Sequence, residues 1–272
     1  MDFFIKPPLT FKSKENELIE QNIYYKILHK YNESDIVFKI IKNNGLIKNL
    51  TKKDCIKLSI NFASEIRKNI KTNDANNQIK IMAIIGASEE SAIFMLSSLY
   101  LGAHHCICFE DLSSDAIRQR VDIFKPDAII CKKKIIKKVN IALNINYQIK
   151  IPIINIDSEK IDNNELKSEK VNNYKKDYSL FTLFTSGSTG KPKAIIHGFS
   201  EYLNYAEFTT EYFFGIKKNS TIFTAVDAGW INGHTYAFYG PLLLGGISII
   251  NEIPSLISIP RILCKYLNKI KP

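Results

Sequence analysis

From residue 79 the chain alternates between short apolar runs and longer amphipathic ones, and this rhythm limits the folds open to it. Ile79 to Gly86 reads as a buried strand. Ser88 is placed to cap a helix from Glu89 to Leu101, and Gly102 to end it. Ala103 to Phe109 is the next strand. Ser113 or Ser114 opens a helix that runs to Phe124 and stops at Lys125-Pro126. Asp127 to Cys131, a basic helix, and a strand through Ile149 to Ile156 complete the series. Strands that alternate with helices in this way form a mostly parallel sheet covered by helices, so the chain is assigned to the α/β class.

The next apolar run, Tyr178 to Phe184, leads into Thr185-Ser186-Gly187-Ser188-Thr189-Gly190-Lys191-Pro192-Lys193. This stretch is almost wholly hydroxyls, glycines and lysines. Backbone N–H, side-chain O–H and ammonium groups can converge there on phosphate oxygens. Gly187 and Gly190 allow the main chain to approach an anion closely. Pro192 biases Lys191 away from the α region. A solvated Ser/Gly turn has the same composition, and that reading stands beside the phosphate one. The nucleotide loop G-x-x-x-x-G-K-[ST] is excluded, because Thr185 stands at its first glycine and Pro192 at its metal-binding hydroxyl. No G-x-G-x-x-G is found at this loop, so it has no dinucleotide fingerprint.

The 272 residues are 45% hydrophobic, enough for one large or two smaller cores. Lys and Arg number 37 against 27 acidic residues, a formal charge of +10. The lysines are scattered rather than gathered in a stripe, which argues against a nucleic-acid partner. The one cluster, Lys132-Lys133-Lys134 with Lys137-Lys138, reads as a solvated helix face. Five cysteines, irregularly spaced and without C-x-x-C, indicate cytosolic thiols, not a disulfide frame. His104, Cys106 and Cys108 would share one face of a strand, but no second ligand pair follows, so they read as buried structural groups and no metal site is assigned. Met1 to Thr10 lacks the long apolar core of a signal peptide. Ala92 to Phe109 is broken by Gly102 and reads as helix then strand, not a membrane span. A soluble, cytoplasmic protein without a membrane partner is expected.

After the loop come a strand (Ala194 to Ile196), a helix (Ser200 to Phe214), a strand (Thr221 to Ala225), a Gly/Trp/His segment, an apolar helix, a strand (Ile247 to Ile250) and a helix (Arg261 to Ile270). Asp157 to Asp177 is a polar surface connector. The expected organisation is an N-terminal extension (1–30), a first parallel-sheet subdomain (76–200) with the phosphate loop at 184–194, and the opening of a second subdomain (201–272). No strand follows the last helix, so the chain is expected to stop within a unit. An exposed sheet edge and an uncovered apolar helix are expected with it.

Phe184 to Lys193 resembles the [YF]-T-S-G-S-T-G-x-P-K-G signature of the adenylate-forming (AMP-binding) superfamily of acyl-CoA synthetases, adenylation domains and luciferases. Ala194 stands where that signature has its last glycine. Asp227-Ala228-Gly229-Trp230-Ile231-Asn232-Gly233-His234-Thr235-Tyr236, with Tyr239-Gly240-Pro241-Leu242, is similar to the G-D-x-G-W-[IV]-T-G-H-[ST]-Y…Y-G-P-L segment of acetyl- and propionyl-CoA synthetases. Glu89-Glu90-Ser91-Ala92 through Ala103-His104, then Leu112-Ser113 to Arg118, follow the same branch. The likeness covers roughly residues 30 to 265.

The resemblance implies the N-terminal domain of that fold, here incomplete, and a two-step reaction. A small carboxylic acid attacks ATP to give an acyl-adenylate and pyrophosphate, and coenzyme A then displaces AMP. ATP, Mg²⁺ and coenzyme A are the implied cofactors. Thr185, Ser186, Gly187, Ser188, Thr189, Gly190, Lys191 and Lys193 would hold the ATP phosphates. Trp230, Ile231, Asn232 and Gly233 would wall the acyl pocket, with an ordinary core tryptophan as the other reading of Trp230. His197 matches a family histidine, for which packing or a hydrogen bond is an equal reading. Lys137, Asn140, Asn232 and Ser255 are the coenzyme A candidates. Several positions depart from the branch: Asn232 replaces a threonine, Glu110-Asp111 follow Phe109 where the family has Gly-Gly, and Lys137 and Asn140 stand for two arginines. The family's G-E-P turn, its Y-x-x-T-E strand with the metal carboxylate, its ribose-binding aspartate and its lid lysine have no match in residues 1–272.

Three readings follow. The chain is the front part of an active short-chain acyl-CoA synthetase, as a fragment or truncated form, or as one product of a split gene with a separately encoded C-terminal half. It is a non-catalytic remnant or nucleotide-binding module. Or it serves another adenylate-forming ligase, such as one acting on a carrier protein. In each, the lone chain is incomplete as a catalyst.

Overall fold

The computed structural model describes residues 22–70, 78–143, 151–157, 178–186, 191–253 and 260–270. The strands are β1 (Ile36–Ile41), β2 (Ile47–Thr51), β3 (Lys80–Ile84), β4 (His104–Cys108), β5 (Ala128–Cys131), β6 (Ile153–Asn155), β7 (Ser179–Ser186), β8 (Pro192–Gly198), β9 (Thr221–Phe223) and β10 (Ile247–Asn251). The helices are α1 (Ile23–Leu28), α2 (Lys52–Asn69), α3 (Glu89–Leu101), α4 (Ser114–Phe124), α5 (Lys133–Leu143), α6 (Phe199–Phe214), α7 (Ile231–His234), α8 (Gly240–Leu243) and α9 (Pro260–Ile270). A π-helical stretch, Thr235–Tyr239, joins α7 to α8.

Two sheets form, a six-stranded one in the order β6-β5-β3-β4-β7-β8 and a four-stranded one in the order β2-β1-β10-β9. In the first, β6, β5, β3, β4 and β7 are parallel and only β8 runs back, antiparallel to β7. The expected mostly parallel α/β sheet is therefore present. Its inner strands β3, β4 and β5 are buried on both faces, which is why they read as continuous apolar runs. Met82, Ile84, Cys106, Cys108, Ile129 and Cys131 face α4 and α5, and Ile81, Ala83, Ile107 and Ile130 face the main core.

Local signals explain the helix ends. Ser88 Oγ accepts from the Ser91 N–H at 3.3 Å and Ser91 Oγ from the Ser88 N–H at 3.0 Å, closing the start of α3. Gly102 ends α3 with φ 65°, which costs a glycine nothing. Ser113 caps α4, and Lys125 before Pro126 takes the left-handed turn with φ 54°. Pro192 is the first residue of β8, a position that needs no ladder N–H.

The second sheet differs from the sequence reading in its members. Its first two strands form a hairpin that reading leaves without elements. β1 pairs in parallel with β10, setting Phe38 opposite Ser248. β2 closes back on β1 through a turn at Asn44-Gly45, where Gly45 has φ 80°. Residues 23–28, within the stretch read as an extension, form α1, whose Ile23, Tyr24, Ile27 and Leu28 lie in the main core. The apolar helix expected after the Gly/Trp/His segment begins inside that segment, at Ile231. On α6, Tyr205, Tyr212, Phe213 and Phe214 are exposed. The connector at 158–177 lies outside the described residues.

Candidate active site

The β7–β8 hairpin sets Thr185 opposite Lys193 and Ser186 opposite Pro192, and Lys191 immediately precedes β8. Thr185, Lys191 and Lys193 are exposed, so their hydroxyl and ammonium groups are open to a ligand. Gly187, Ser188, Thr189 and Gly190 lie outside the described residues, as does Ser255. Thr185, Leu183 and Phe181 alternate onto one face of the sheet, with Lys193, Ile195 and His197 opposite them on β8.

That same face receives the Trp230 segment. Phe181 stacks on His197 (ring centroids 4.5 Å apart) and on His234 (4.3 Å). His197 also meets the Tyr202 ring at 5.3 Å, so in this structure it packs. His234 is fully buried and contacts His105 of β4, with Nε2 atoms 3.3 Å apart. The tautomers follow from the surroundings. His234 Nδ1 faces the Trp230 carbonyl oxygen at 3.3 Å and must donate. A neutral His234 then accepts at Nε2 from His105 Nε2–H. His105 Nδ1 is left buried without a hydrogen-bond partner. Burial above all holds both rings neutral, pushing His234 down to about 3 and His105 well below the usual histidine value.

The π-helical stretch that follows frees backbone carbonyls, and hydroxyls from the second sheet's side satisfy them. Thr224 Oγ1 donates to the Tyr236 carbonyl at 2.9 Å and Ser248 Oγ to the Ala237 carbonyl at 2.6 Å. Such π turns inside helices concentrate at functional sites. Trp230 itself is 58% exposed, which excludes the core-tryptophan reading, and its ring leans on Phe109 at 5.5 Å.

Two cavities meet at this residue. One, of about 370 Å³, is lined by Ala225, Val226, Asp227, Trp230, Ile231 and Asn232. The other, of about 540 Å³, lies between the sheet ends. Its floor includes Ala92, Met95, Phe238 and Ile249, and its rim includes Glu110, Asp111, Lys132 and Lys134. Of the sequence candidates, Trp230 and Gly233 reach the larger cavity, and Trp230, Ile231 and Asn232 the smaller. Lys137 and Asn140 stand on the exposed side of α5.

Sequence reasoning missed Asp227, Lys132, Lys134 and the His105–His234 pair. The lysine cluster is more than a solvated face. Lys132 pairs with the buried Glu90 at 3.0 Å, and Lys134 pairs with Glu110 at 2.5 Å. Glu110 Oε1 also faces the Gly86 N–H at 3.4 Å, a long contact, and Lys138 donates to its backbone carbonyl at 2.7 Å. The cavity's rim lysines are thus engaged by the chain's own carboxylates. A phosphate-rich ligand would have to displace them, so this rim is a poor fit to coenzyme A as it stands.

Among the described residues no group of three or more His, Cys, Asp or Glu could hold a metal ion. Burial pushes the Cys106 thiol well above its usual value and Cys131 to about 12, which makes them inert packing groups. No helix among the described residues is long and apolar enough to cross a membrane.

The family model described as AMP-binding enzyme matches residues 57–272, and the chain belongs to that family. Acetyl-coenzyme A synthetase 2 of Debaryomyces hansenii is 33% identical over 191 residues, 61% of this chain and 28% of that protein. Acetyl-coenzyme A synthetase of Helicobacter acinonychis is 30% identical over 209 residues, 68% of this chain and 31% of that protein. The crystal structure of an acyl-CoA synthetase of Brucella canis superposes with a TM-score of 0.74 at 17% identity, covering 89% of this chain and 46% of that one. That likeness shows the fold. The chain spans about three tenths of the length of the curated relatives it matches.

Proposed function

We propose that this chain carries the phosphate-binding hairpin and the acyl-pocket wall of a short-chain acyl-CoA synthetase, acting on acetate or propionate with ATP. The observation that carries the reading is the shared face of the first sheet. Thr185 and Lys193 of the hairpin and the Trp230 turn lie on one side of it, joined through Phe181 and His234. The hairpin's hydroxyls and ammonium groups would neutralise the outer phosphates of ATP as pyrophosphate leaves. Bound Mg²⁺ would supply further charge neutralisation. Ile231 and Trp230 would shorten the acyl pocket, and Asn232 would offer an amide where the family has a hydroxyl. Coenzyme A would be the acceptor, by kinship with the relatives, in the cytoplasm.

The family's metal carboxylate and lid lysine, carried on a longer form of this chain or on an added polypeptide, would complete the site. The test is an assay of MgATP, acetate or propionate, and coenzyme A, with the chain alone and with such a polypeptide added. Acyl-CoA formed only in the mixture supports the reading, and no adenylate in either arm overturns it. A second reading, a nucleotide-binding module without turnover, is favoured by the Glu110–Lys134 pair at the cavity rim. It predicts MgATP binding with no pyrophosphate release. Transfer to a carrier protein instead of coenzyme A would mark a different adenylate-forming ligase.

A further inference from the structure

The turn that carries Trp230 is tied to the first sheet by one carboxylate. Asp227 lies beyond the end of β9. Its Oδ1 accepts from the Gly229 N–H at 2.8 Å and its Oδ2 from the Ala87 N–H at 3.1 Å. One side chain therefore spans the Trp230 turn and the segment entering α3. The backbone takes part too, since the Asp227 carbonyl accepts from the Trp230 N–H at 3.1 Å. The fit is tight: a Cβ on Gly233 would collide with the Asp227 carbonyl oxygen, and one on Gly229 with the Phe109 ring against which Trp230 leans.

Both cavities are lined by Asp227 and Trp230, with Ala225 and Val226 beside them. These residues are the partition between the two spaces. We infer that Asp227 is a positioning residue, whose carboxylate holds the Trp230 turn against Ala87 and so sets the indole as the wall between the cavities. The functional meaning of that wall rests on the reading of Trp230 as part of the acyl site, while the geometry does not.

The carboxylate is held in a setting that makes it titrate. Burial raises its pKa above the usual aspartate value, against the two N–H bonds, and the like charges of Glu110 and Asp111 raise it further. Glu90 and Lys132 also flank the cavity but are paired with each other, and Lys134 is paired with Glu110. Protonation would remove the charge that strengthens both N–H bonds.

Trp230 is the only tryptophan in the chain, so its emission reads this turn without labelling. The experiment follows emission and acrylamide quenching against pH for the unaltered chain and for Asp227→Asn, Asp227→Glu and Glu110→Gln. It also follows amide exchange at Ala87 and Gly229. The unaltered chain should show a transition with its midpoint above about 4, the ordinary aspartate value. Asp227→Asn should abolish the transition and raise exchange at one or both amides about tenfold, as expected for loss of roughly one charge-assisted hydrogen bond. Asp227→Glu should restore a transition, and Glu110→Gln should keep it at a lower midpoint. A transition unchanged in Asp227→Asn overturns the assignment. If that variant does not fold, an unmoved midpoint in Glu110→Gln overturns it instead. None of these readouts uses turnover, so an inactive chain with a titrating Trp230 would defeat the functional reading and leave this one standing.

Discussion

The two sheets are built on different principles. The six-stranded sheet is built around β3, β4 and β5, which lie close in sequence and are buried on both faces. The four-stranded sheet joins β1 to β10, which sit near opposite ends of the described chain. It shares the main core through Val37, Phe38 and Ile40. At the cavity end, however, it meets the first sheet through charge. Lys42 bridges Glu89 (3.2 Å) and Glu252 (2.8 Å), Lys48 pairs with Glu89 at 2.6 Å, and Glu252 accepts from the Glu89 N–H at 3.2 Å. Asp227 adds its bond to Ala87. The difference teaches where the molecule can yield. Apart from the buried histidines of β4, the first sheet is held by apolar burial, while the seam beside the cavities is held by charge pairs that respond to both pH and salt.

The comparison breaks most sharply at Phe181, where the first sheet meets the Trp230 segment. Phe181→Ala removes a fully buried ring stacked on three histidines, His105, His197 and His234. It should lower stability by about 3–5 kcal/mol in denaturant titration. Acid comes next. His234 is held neutral in the fold, with its pKa near 3, but takes a proton at about 6.5 when unfolded. Stability is therefore full above pH 6.5 and falls as pH drops towards 3, by about 2 kcal/mol at pH 5 from this residue. Urea midpoints at pH 7 and pH 5 check the sign, and His234→Gln should make the profile shallower, with the buried His104 and His105 still contributing.

Glu89→Gln sharpens the contrast between the sheets. Glu89 is buried, but its lysine partners are partly exposed, so solvent discounts the loss to about 1–2 kcal/mol. Amide exchange should quicken in β1, β2 and β10 and stay unchanged in β3 and β5. Uniform quickening would mean the seam is not a separate point of weakness. The smallest effect belongs to Ala194→Gly on β8, opposite Phe184, expected to cost up to about 1 kcal/mol of stability.

The same contrast governs what could be read from the residues. α3 was legible from Ser88 to Gly102 because its start and stop signals are local. The first sheet's inner strands, β3, β4 and β5, were legible because burial on two faces leaves unbroken apolar runs. The β1–β2 hairpin carried a local signal as well, Asn44-Gly45 between apolar stretches, but its parallel partner lies beyond residue 246 and no local pattern points there. For the site, the hairpin and Trp230 motifs were visible as contiguous residues. The His105–His234 contact was not, since it joins a strand to a helix 129 residues away. Lys132 and Lys134 looked like solvated lysines because the carboxylates that engage them come from other elements.

The central claim is that the β7–β8 hairpin holds the phosphates of ATP. Isothermal titration of MgATP into the chain and into a Lys191→Ala, Lys193→Ala variant tests it most directly. The account predicts saturable binding that weakens about tenfold or more in the variant, as two charge-assisted contacts are lost. Absence of binding to the unaltered chain, or equal binding by the two proteins, would contradict it.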